Sequence, residues 1–401
     1  MLRLLSLLIA LVMMALASCK KEEVEKVPIV IPDVKVIRVG VTANLGAAPI
    51  LIAEKQGLFG KANVELSLTT HSTTEEIREQ LTNGQLDIGM LSPAEALLSE
   101  SAVIVPHILT RNGGQISVTE ELWNQMQSHM LLDADGDPVR PISADALLRV
   151  AQAVGNGNPP LTFSVASLHD TIAYTLCYWL GAAGVTPIMS GVIIESPHPH
   201  LDRASIAVST APSLRGSAQG FTGTKHGKPV ITTSAILRDV PTSVLACSES
   251  WAEANRETLI TVVAALIEAG QWLDASSENR TQARADLENT LPHFGKDISH
   301  MVTFGTNASA APDQNHALWI ATQMMRWGHL PGSLTDAELE AMVLTTYRPD
   351  IFRGAAASLK APLQGLEMRL EEQSLAHLID GNVFISKRPS AYARSFDISA
   401  K

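Results

Sequence analysis

The hydrophobic and polar positions near the start of the chain switch repeatedly between strand-like and helix-like spacing. Residues 36–41 are a β-branched run that ends in a Gly/Ala-rich turn, and residues 49–56 have helical character. Residues 64–68 alternate apolar and polar side chains, and residues 86–90 form a third short strand pattern. Strands that alternate with helices predict an α/β fold with a parallel sheet and helices on both of its faces.

The carboxyl ends of these three strands predict where a ligand would bind. Ligands of parallel sheets lie beyond the carboxyl ends of the strands, close to helix N-termini. Residues 42–47, 71–74 and 90–93 therefore fall on one edge of the sheet. The polar side chains there that could donate hydrogen bonds are Thr42, Asn44, Thr74 and Ser92.

The pattern further along the chain predicts two lobes and a C-terminal extension. A second unit begins near Asn112-Gly113-Gly114, and the apolar spacing of residues 258–274 is the strongest helix signal in the chain. The segments after that helix have helical spacing. We predict a first lobe of residues 36–110 and 230–290, a second lobe of residues 111–229, and a C-terminal helical segment of residues 291–401.

The N-terminus has the anatomy of an export signal. Arg3 precedes an apolar run at residues 4–17, and this run is shorter than the roughly 20 apolar residues that span a bilayer. Leu16-Ala17-Ser18-Cys19 is similar to a bacterial lipobox, in which lipidated Cys19 becomes the N-terminus. An ordinary signal peptide with an incidental cysteine is the alternative. Residues 1–18 are thus predicted to be a lipoprotein signal peptide.

The segment after the signal, residues 19–35, combines charges, valines and prolines and is predicted to be a tether. We therefore expect an extracytoplasmic lipoprotein, held to the membrane through Cys19 and located in the periplasm of a two-membrane bacterium.

Charge and cysteine content exclude several classes of function. The 401 residues carry a formal net charge of −11 and lack a basic run with interleaved aromatics, so nucleic-acid binding is disfavoured. Three cysteines without Cys-x-x-Cys spacing disfavour zinc. Asp133, Asp135 and Asp137 resemble the start of a calcium loop, but Pro138 and Ala144 stand where glycine and glutamate are needed. The sequence predicts no metal and no cofactor.

The residues that catalysis would need do not form a recognisable set. Gly216-Ser217-Ala218-Gln219-Gly220 does not fit the Gly-x-Ser-x-Gly pattern of a nucleophile elbow. Cys177 and Cys247 lie in apolar stretches typical of buried cysteines. We therefore predict a binding protein and not an enzyme.

Motifs spread over most of the chain resemble one protein family, the solute-binding lipoproteins of ABC importers for nitrate, bicarbonate and related oxyanions. They are Ala48-Pro49, Leu86-Asp87-Ile88-Gly89-Met90-Leu91-Ser92-Pro93, Asn112-Gly113-Gly114-Gln115, His169-Asp170, Tyr178-Trp179-Leu180, Thr322-Gln323-Met324-Met325-Arg326-Trp327-Gly328 and Tyr347-Arg348-Pro349-Asp350. The resemblance implies a two-lobed periplasmic binding protein fold of type II. Each lobe would be a mostly parallel sheet flanked by helices, with extra C-terminal helices, and the lobes would close on a ligand.

The resemblance also implies ligand-contacting residues. His169 follows a strand at a helix start, where its ring and backbone N–H groups could face an anion together. A histidine that caps its own helix is the alternative. Gln115 lies one position after the glutamine of the family. The candidate ligand-binding residues are therefore His169, Gln115, Thr74, Ser92, Asn44 and Thr42.

Other positions of the family pocket are changed in this chain. Thr74 replaces a tryptophan, Gly46 replaces an aspartate, and residues 209–212 do not match a Gly-Glu-Pro-Trp loop. These changes alter the size and charge of the pocket. The resemblance therefore implies the fold but does not determine which anion binds.

The resulting hypothesis is a solute-binding lipoprotein that captures a small nitrate-like oxyanion and delivers it to an ABC permease and its ATPase. Local dipoles would hold the anion despite the acidic net charge. The alternatives are a ligand sensor for a signalling partner, or a binding protein for another solute such as a sulfonate or a pyrimidine. Enzymes of the thiamine-pyrimidine synthase type share the architecture, but they carry a cysteine-rich motif that this sequence lacks.

Overall fold

A computed structural model describes residues 34–99, 103–153, 161–186, 192–195, 215–220, 227–291, 301–360 and 362–397. The predicted signal peptide, Cys19, nearly all of the predicted tether and the 209–212 loop lie outside the described residues. Residues Lys35–Lys401 cluster as one compact unit.

The strands of the described residues alternate with helices in the first two thirds of the chain. The strands are β1 (Lys35–Thr42), β2 (Val64–His71), β3 (Ile88–Leu91), β4 (Val103–Asn112), β5 (Gly114–Val118), β6 (Leu161–Val165), β7 (Val192–Glu195), β8 (Arg215–Gly220), β9 (Lys228–Thr232), β10 (Pro241–Ser248), β11 (Val302–Thr303), β12 (Ser374–Leu375) and β13 (Phe384–Ile385).

The helices are α1 (Ala48–Lys55), α2 (Thr74–Thr82), α3 (Pro93–Leu97), α4 (Glu120–Gln127), α5 (Asp145–Ala153), α6 (Thr171–Ala182), α7 (Thr233–Ile236), α8 (Glu249–Ala254), α9 (Arg256–Ala275), α10 (Ser277–Leu287), α11 (Gln314–Arg326), α12 (Asp336–Thr346), α13 (Pro349–Ala357), α14 (Leu366–Glu371) and α15 (Pro389–Arg394).

Two mixed sheets form the framework and confirm the predicted α/β class. The first sheet has the strand order β11-β4-β10-β3-β1-β2, and the second has the order β7-β6-β8-β5-β9. Strand β1 is parallel to β2 and β3, and β6 is parallel to β7 and β8. Strand β10 runs antiparallel to β3 and β4, and β5 runs antiparallel to β8 and β9. In each sheet, most of the described strands therefore share one direction.

The chain crosses between the two sheets at two neighbouring places. Strand β4 continues into β5 through Asn112 and Gly113, which both adopt left-handed backbone conformations with φ of 60° and 77°. The return crossing runs from β9 through α7 to β10. The N–H of Asn112 donates to the carbonyl of Val240 at 2.7 Å, and the hydroxyl of Thr242 donates to the carbonyl of Asn112 at 2.8 Å. The two crossings are thus hydrogen-bonded side by side.

The longest helix, α9, packs into the core of the first sheet, as its apolar spacing predicts. It contacts α1 and α13, and its buried side chains include Leu259, Val263 and Leu266. Its length and composition alone would also suit a membrane span, but a helix with this much buried surface is typical of a protein core. Beyond it, α11 and α12 form in the part of the chain where the sequence shows helical spacing.

A buried charge network lies at the end of β4, next to the crossings. Arg111 is fully buried, and its guanidinium donates to the carbonyl oxygens of Ser309, Asp239 and Ala311 and to the carboxylate of Asp313. Burial alone would raise the pKa of Asp313, but His316 and Arg111 hold that pKa far below its ordinary range. The network joins β4 to the start of the C-terminal segment.

Candidate ligand-binding site

The carboxyl ends of β1, β2 and β3 lie on one edge of the first sheet, as the sequence predicts. Thr42 is paired in register with His71, and Ser92 follows β3 directly. The side-chain amide of Asn44 donates to the Thr42 hydroxyl at 2.9 Å, and its carbonyl oxygen accepts from the N–H of Gly46 at 2.8 Å. Thr42 and Asn44 therefore stabilise the turn after β1.

The position of Gly46 has no room for a side chain. A Cβ atom there would lie 2.3 Å from the hydroxyl oxygen of Ser243 and 2.8 Å from the sulfur of Met90. The space that an aspartate would need is thus filled by side chains from β10 and β3. The turn after β1 consequently brings no carboxylate to this edge of the sheet.

The loop between β6 and α6 belongs to the second sheet, carries His169 and faces the edge of the first sheet. We call this loop and that edge the two walls of the site. The hydroxyl of Ser167 accepts a hydrogen bond from the N–H of His169 at 3.1 Å, and the Asp170 carboxylate accepts from the N–H of Ile172 at 3.1 Å. Asp170 is therefore the N-cap of α6. The N–H groups that could have faced an anion beside His169 are engaged by protein side chains in this structure.

The two walls meet at Ser92 and Glu95, at the start of α3. The Ser92 hydroxyl accepts from the N–H of Thr171 at 3.2 Å and lies 3.5 Å from the Asp170 carboxylate. The Ser167 hydroxyl donates to the Glu95 carboxyl at 3.3 Å. The structure thus brings together residues from both sheets, including two of the predicted candidates, Ser92 and the segment of His169.

Two carboxyl groups lie within this contact. Glu95 is 1 % exposed, and burial, assisted by the nearby charge of Asp170, raises the pKa of Glu95 to about 7. Burial of the Asp170 carboxyl raises its pKa to about 6, although hydrogen bonds from Ile172, Ser92 and Thr171 oppose the rise. The Oε2 atom of Glu95 is buried without a well-aligned hydrogen-bond partner. Buried carboxyls of this kind are typical of functional sites.

The His169 ring contacts the ring of His329, which in turn contacts Tyr174. The rings of His169 and His329 are 4.7 Å apart in an edge-to-face arrangement, and the Tyr174 hydroxyl hydrogen-bonds to Nδ1 of His329. Burial and the neighbouring His169 lower the pKa of His329. His169 itself remains partly exposed, and its backbone carbonyl lies 3.5 Å from the Ser92 hydroxyl at the contact of the two walls.

The remaining candidates occupy different positions. Thr74 begins α2, and its hydroxyl interacts with the Glu95 carboxyl and opposes the rise in the Glu95 pKa. Gln115 lies on β5 and donates to the Ser117 hydroxyl at 2.8 Å. Thr74 therefore joins the contact of the two walls. Within the part of the chain that the structure describes, Gln115 has no hydrogen bond to that contact.

Sequence reasoning missed Glu95, Asp170 and the His329–Tyr174 pair. A glutamate in the first turn of a helix and an aspartate at an N-cap both have sufficient local explanations. The only local signal was the polar pair His169-Asp170 directly after an apolar strand. In the described ranges, no group of three His, Cys, Asp or Glu side chains is arranged to hold a metal ion.

The two described cysteines are not activated nucleophiles. Cys177 lies on α6 and Cys247 on β10, and burial raises the pKa of the Cys177 thiol to about 12 and that of Cys247 further still. A thiol that stays protonated at neutral pH reacts slowly. Cys247 is buried, as its apolar sequence context predicts, whereas Cys177 is only partly buried.

Comparisons with known proteins show which proteins this chain is similar to. The nitrate/nitrite binding protein NrtA of Nostoc sp. is 23 % identical over 88 % of this chain and 83 % of its own, and the bicarbonate-binding protein CmpA of Synechococcus elongatus is 22 % identical over 91 % and 87 %. The crystal structure of the periplasmic nitrate-binding protein NrtA from Synechocystis superposes with a TM-score of 0.74 at 20 % identity, covering 92 % of this chain and all of that one.

That superposition confirms the periplasmic binding protein fold. The NMT1-like family profile matches residues 31–216 and 217–287, which is more than half of the chain. The protein therefore belongs to the NMT1-like family.

Proposed function

We propose that this protein is an extracytoplasmic solute-binding protein of an ABC importer, which captures a small nitrate-like oxyanion between its two sheets. The observation that best supports this proposal is a contact between the two sheets. Ser92, at the edge of the first sheet, contacts the Thr171 N–H and the Asp170 carboxylate at the start of α6. A solute held at this contact would touch both halves of the fold, so its binding would stabilise their closed arrangement.

The donors around this contact are three hydroxyl groups and one imidazole ring. The hydroxyls of Ser92, Ser167 and Thr74 and the ring of His169 can each donate a hydrogen bond. A small anion is well held by several such donors in a partly dehydrated site, because hydrogen bonds to a charged acceptor are stronger than neutral ones. This arrangement explains how a protein with a net charge of −11 can hold an anion.

The name of one relative supports a proposal about the proteins that this chain works with in transport. A relative from Synechocystis is called a bicarbonate transport ATP-binding protein, and the chain aligns with 54 % of its length at 26 % identity. We infer that the present protein delivers its solute to a permease driven by an ATPase. We further infer that lipidated Cys19 holds it at the membrane, as the lipobox-like sequence predicts.

A second candidate ligand is a neutral solute with N–H donors, such as a pyrimidine. The observation that favours it is the pair of acceptors formed by buried Glu95 and half-buried Asp170. A carboxylate that has lost its water is a strong acceptor for N–H groups.

Thermal unfolding of the mature protein with single solutes tests the proposal. The panel contains nitrate, nitrite, bicarbonate with and without calcium, an aliphatic sulfonate and a pyrimidine. A ligand at 100 times its dissociation constant adds about 2.7 kcal/mol of stability, so the correct solute should raise the melting temperature by several degrees. A shift with the pyrimidine and with none of the anions would refute the oxyanion assignment.

A further inference from the structure

Glu95 and Asp170 come from opposite sides of the binding site. Glu95 lies in α3, which follows β3 of the first sheet, whereas Asp170 caps α6, which follows β6 of the second sheet. The Ser92 hydroxyl lies 3.5 Å from the Asp170 carboxylate, and the Ser167 hydroxyl donates to the Glu95 carboxyl at 3.3 Å, so both carboxyls belong to one partly buried contact. Two like charges in such a dehydrated place repel each other strongly.

The charged groups that face Glu95 do not neutralise it. Helix α2 presents Glu75 and Arg78, and the guanidinium of Arg78 lies 3.8 Å from the Glu75 carboxylate. The loop before α6 presents Asp170, and beyond it lie the rings of His169 and His329. Because the nearest cation already has an acidic neighbour, protonation is the most direct way for Glu95 to become neutral.

We propose that closure of the two walls on an anionic solute takes up one proton on the Glu95–Asp170 pair, and that protonated Glu95 donates a hydrogen bond to the solute. This inference rests on the proposed function. The proton comes from solvent and stays on a carboxyl oxygen, so no covalent bond to the solute is made. Oε2 of Glu95, buried without a well-aligned partner, is the atom suited to carry it.

Proton uptake on closure determines whether the affinity for the solute rises or falls with pH. When the walls separate, water reaches Glu95 and its pKa returns toward the ordinary value of 4.5, whereas burial in the closed contact raises that pKa to about 7. Closure therefore takes up a proton when the pH lies between these two pKa values. In that range the affinity falls by up to about tenfold for each unit by which the pH rises. Above pH 7 the affinity levels off. A solute that donates N–H groups to the carboxylates would show the opposite slope.

Titration calorimetry with sodium nitrate tests the proposal, since nitrate keeps its charge throughout the range. The wild type, Glu95→Gln and the exposed control Glu65→Gln are compared from pH 5.5 to 8.5, in buffers of different ionisation enthalpy that report proton uptake directly. We expect the wild type and Glu65→Gln to lose affinity with rising pH and to take up close to one proton. Glu95→Gln, neutral at position 95 at every pH, should lose most of the slope and keep only the weaker dependence below about pH 6 that Asp170 contributes.

The outcomes separate this inference from the proposed function. Nitrate binding without a pH slope or proton uptake would overturn the proton-coupled closure and leave the oxyanion function intact. If nitrate, nitrite and bicarbonate all fail to bind, the oxyanion function and the closure that rests on it are both refuted. Where nitrate binds, a carbon-13 titration of the Glu95 carboxyl with and without saturating nitrate checks the protonation directly: a midpoint that rises toward pH 7 on saturation supports it, and an unchanged midpoint refutes it.

Discussion

The hydroxyl of Ser92 and the N–H of Thr171 lie 3.2 Å apart and join the edge of the first sheet to the first turn of α6. Both residues are buried, so the loss of the hydroxyl would leave a buried N–H without a partner. We expect Ser92→Ala to lower the free energy of unfolding by about 1–3 kcal/mol and to weaken solute binding. Urea titration measures the first effect. Ser128→Ala, which removes an exposed hydroxyl, should change neither quantity.

His169 should contribute to affinity more than to stability, because its ring is partly exposed beside the contact of the two walls. We expect His169→Ala to lower the affinity for the responding solute more than tenfold while the melting temperature of the solute-free protein changes little. The exposed His129→Ala is the control. Unchanged affinity in His169→Ala would remove this histidine from the site.

Gly46 should tolerate no larger residue. A methyl group there would overlap the side chains of Ser243 and Met90, and forced overlap of this kind costs about 1–3 kcal/mol. We expect Gly46→Ala to destabilise the protein in a urea titration and Ser243→Gly to restore part of the loss. Gly60→Ala serves as the control, since no atom lies within 4 Å of a Cβ at Gly60.

His107 should make the protein sensitive to acid. It is fully buried on β4, and neither ring nitrogen has a hydrogen-bond partner. Burial lowers the pKa of His107 to about 3 from an ordinary 6.5. The unfolded chain therefore binds a proton first, so stability is full above pH 6.5 and falls between pH 6.5 and 3.

The size of this loss follows from the same pKa values. At pH 5 it should reach about 2 kcal/mol relative to pH 8. Melting temperatures measured at both pH values for the wild type and His107→Leu check it, because the variant lacks the titrating ring. An equal drop in both proteins would show that other groups cause the acid sensitivity.

Arg111 should be essential to the fold near the two crossings. Its removal leaves the Asp313 carboxylate buried without its cation, a defect that costs about 3–5 kcal/mol. We expect Arg111→Met to unfold at much lower urea concentration than the wild type. Arg111→Met combined with Asp313→Asn should recover part of the loss, since asparagine can still cap α11. No recovery in the double variant would show that the lost packing of Arg111, and not the stranded charge, is responsible.

The local pattern of residues predicted much of the first sheet. The run at residues 36–41, the alternation at residues 64–68 and the periodicity at residues 258–274 each gave an element at the expected place. The carboxyl ends of β1 to β3 also share one edge, because that follows from parallel pairing alone. Period and turn signals are properties of neighbouring residues and are therefore present in the sequence.

The insertion of β10 between β3 and β4 could not be predicted in this way. That pairing joins segments about 140 residues apart, and nothing in the pattern of either segment specifies its partner. For the same reason, the sequence does not reveal the role of Glu95. Its neighbours in sequence give it an ordinary place in a helical first turn, and only the approach of Ser167 and Asp170 from the second sheet makes it a buried acid.

The high pKa values of Cys177 and Cys247 have a practical consequence. A maleimide dye added at neutral pH reacts with thiolate, so the buried Cys247 should be labelled slowly in the folded protein, and the partly exposed Cys177 is the internal thiol to test first. In a version of the chain that starts after Cys19, a cysteine introduced at exposed Ser128 would react faster than either. Replacement of Cys177 would then leave the introduced cysteine as the preferred point of attachment.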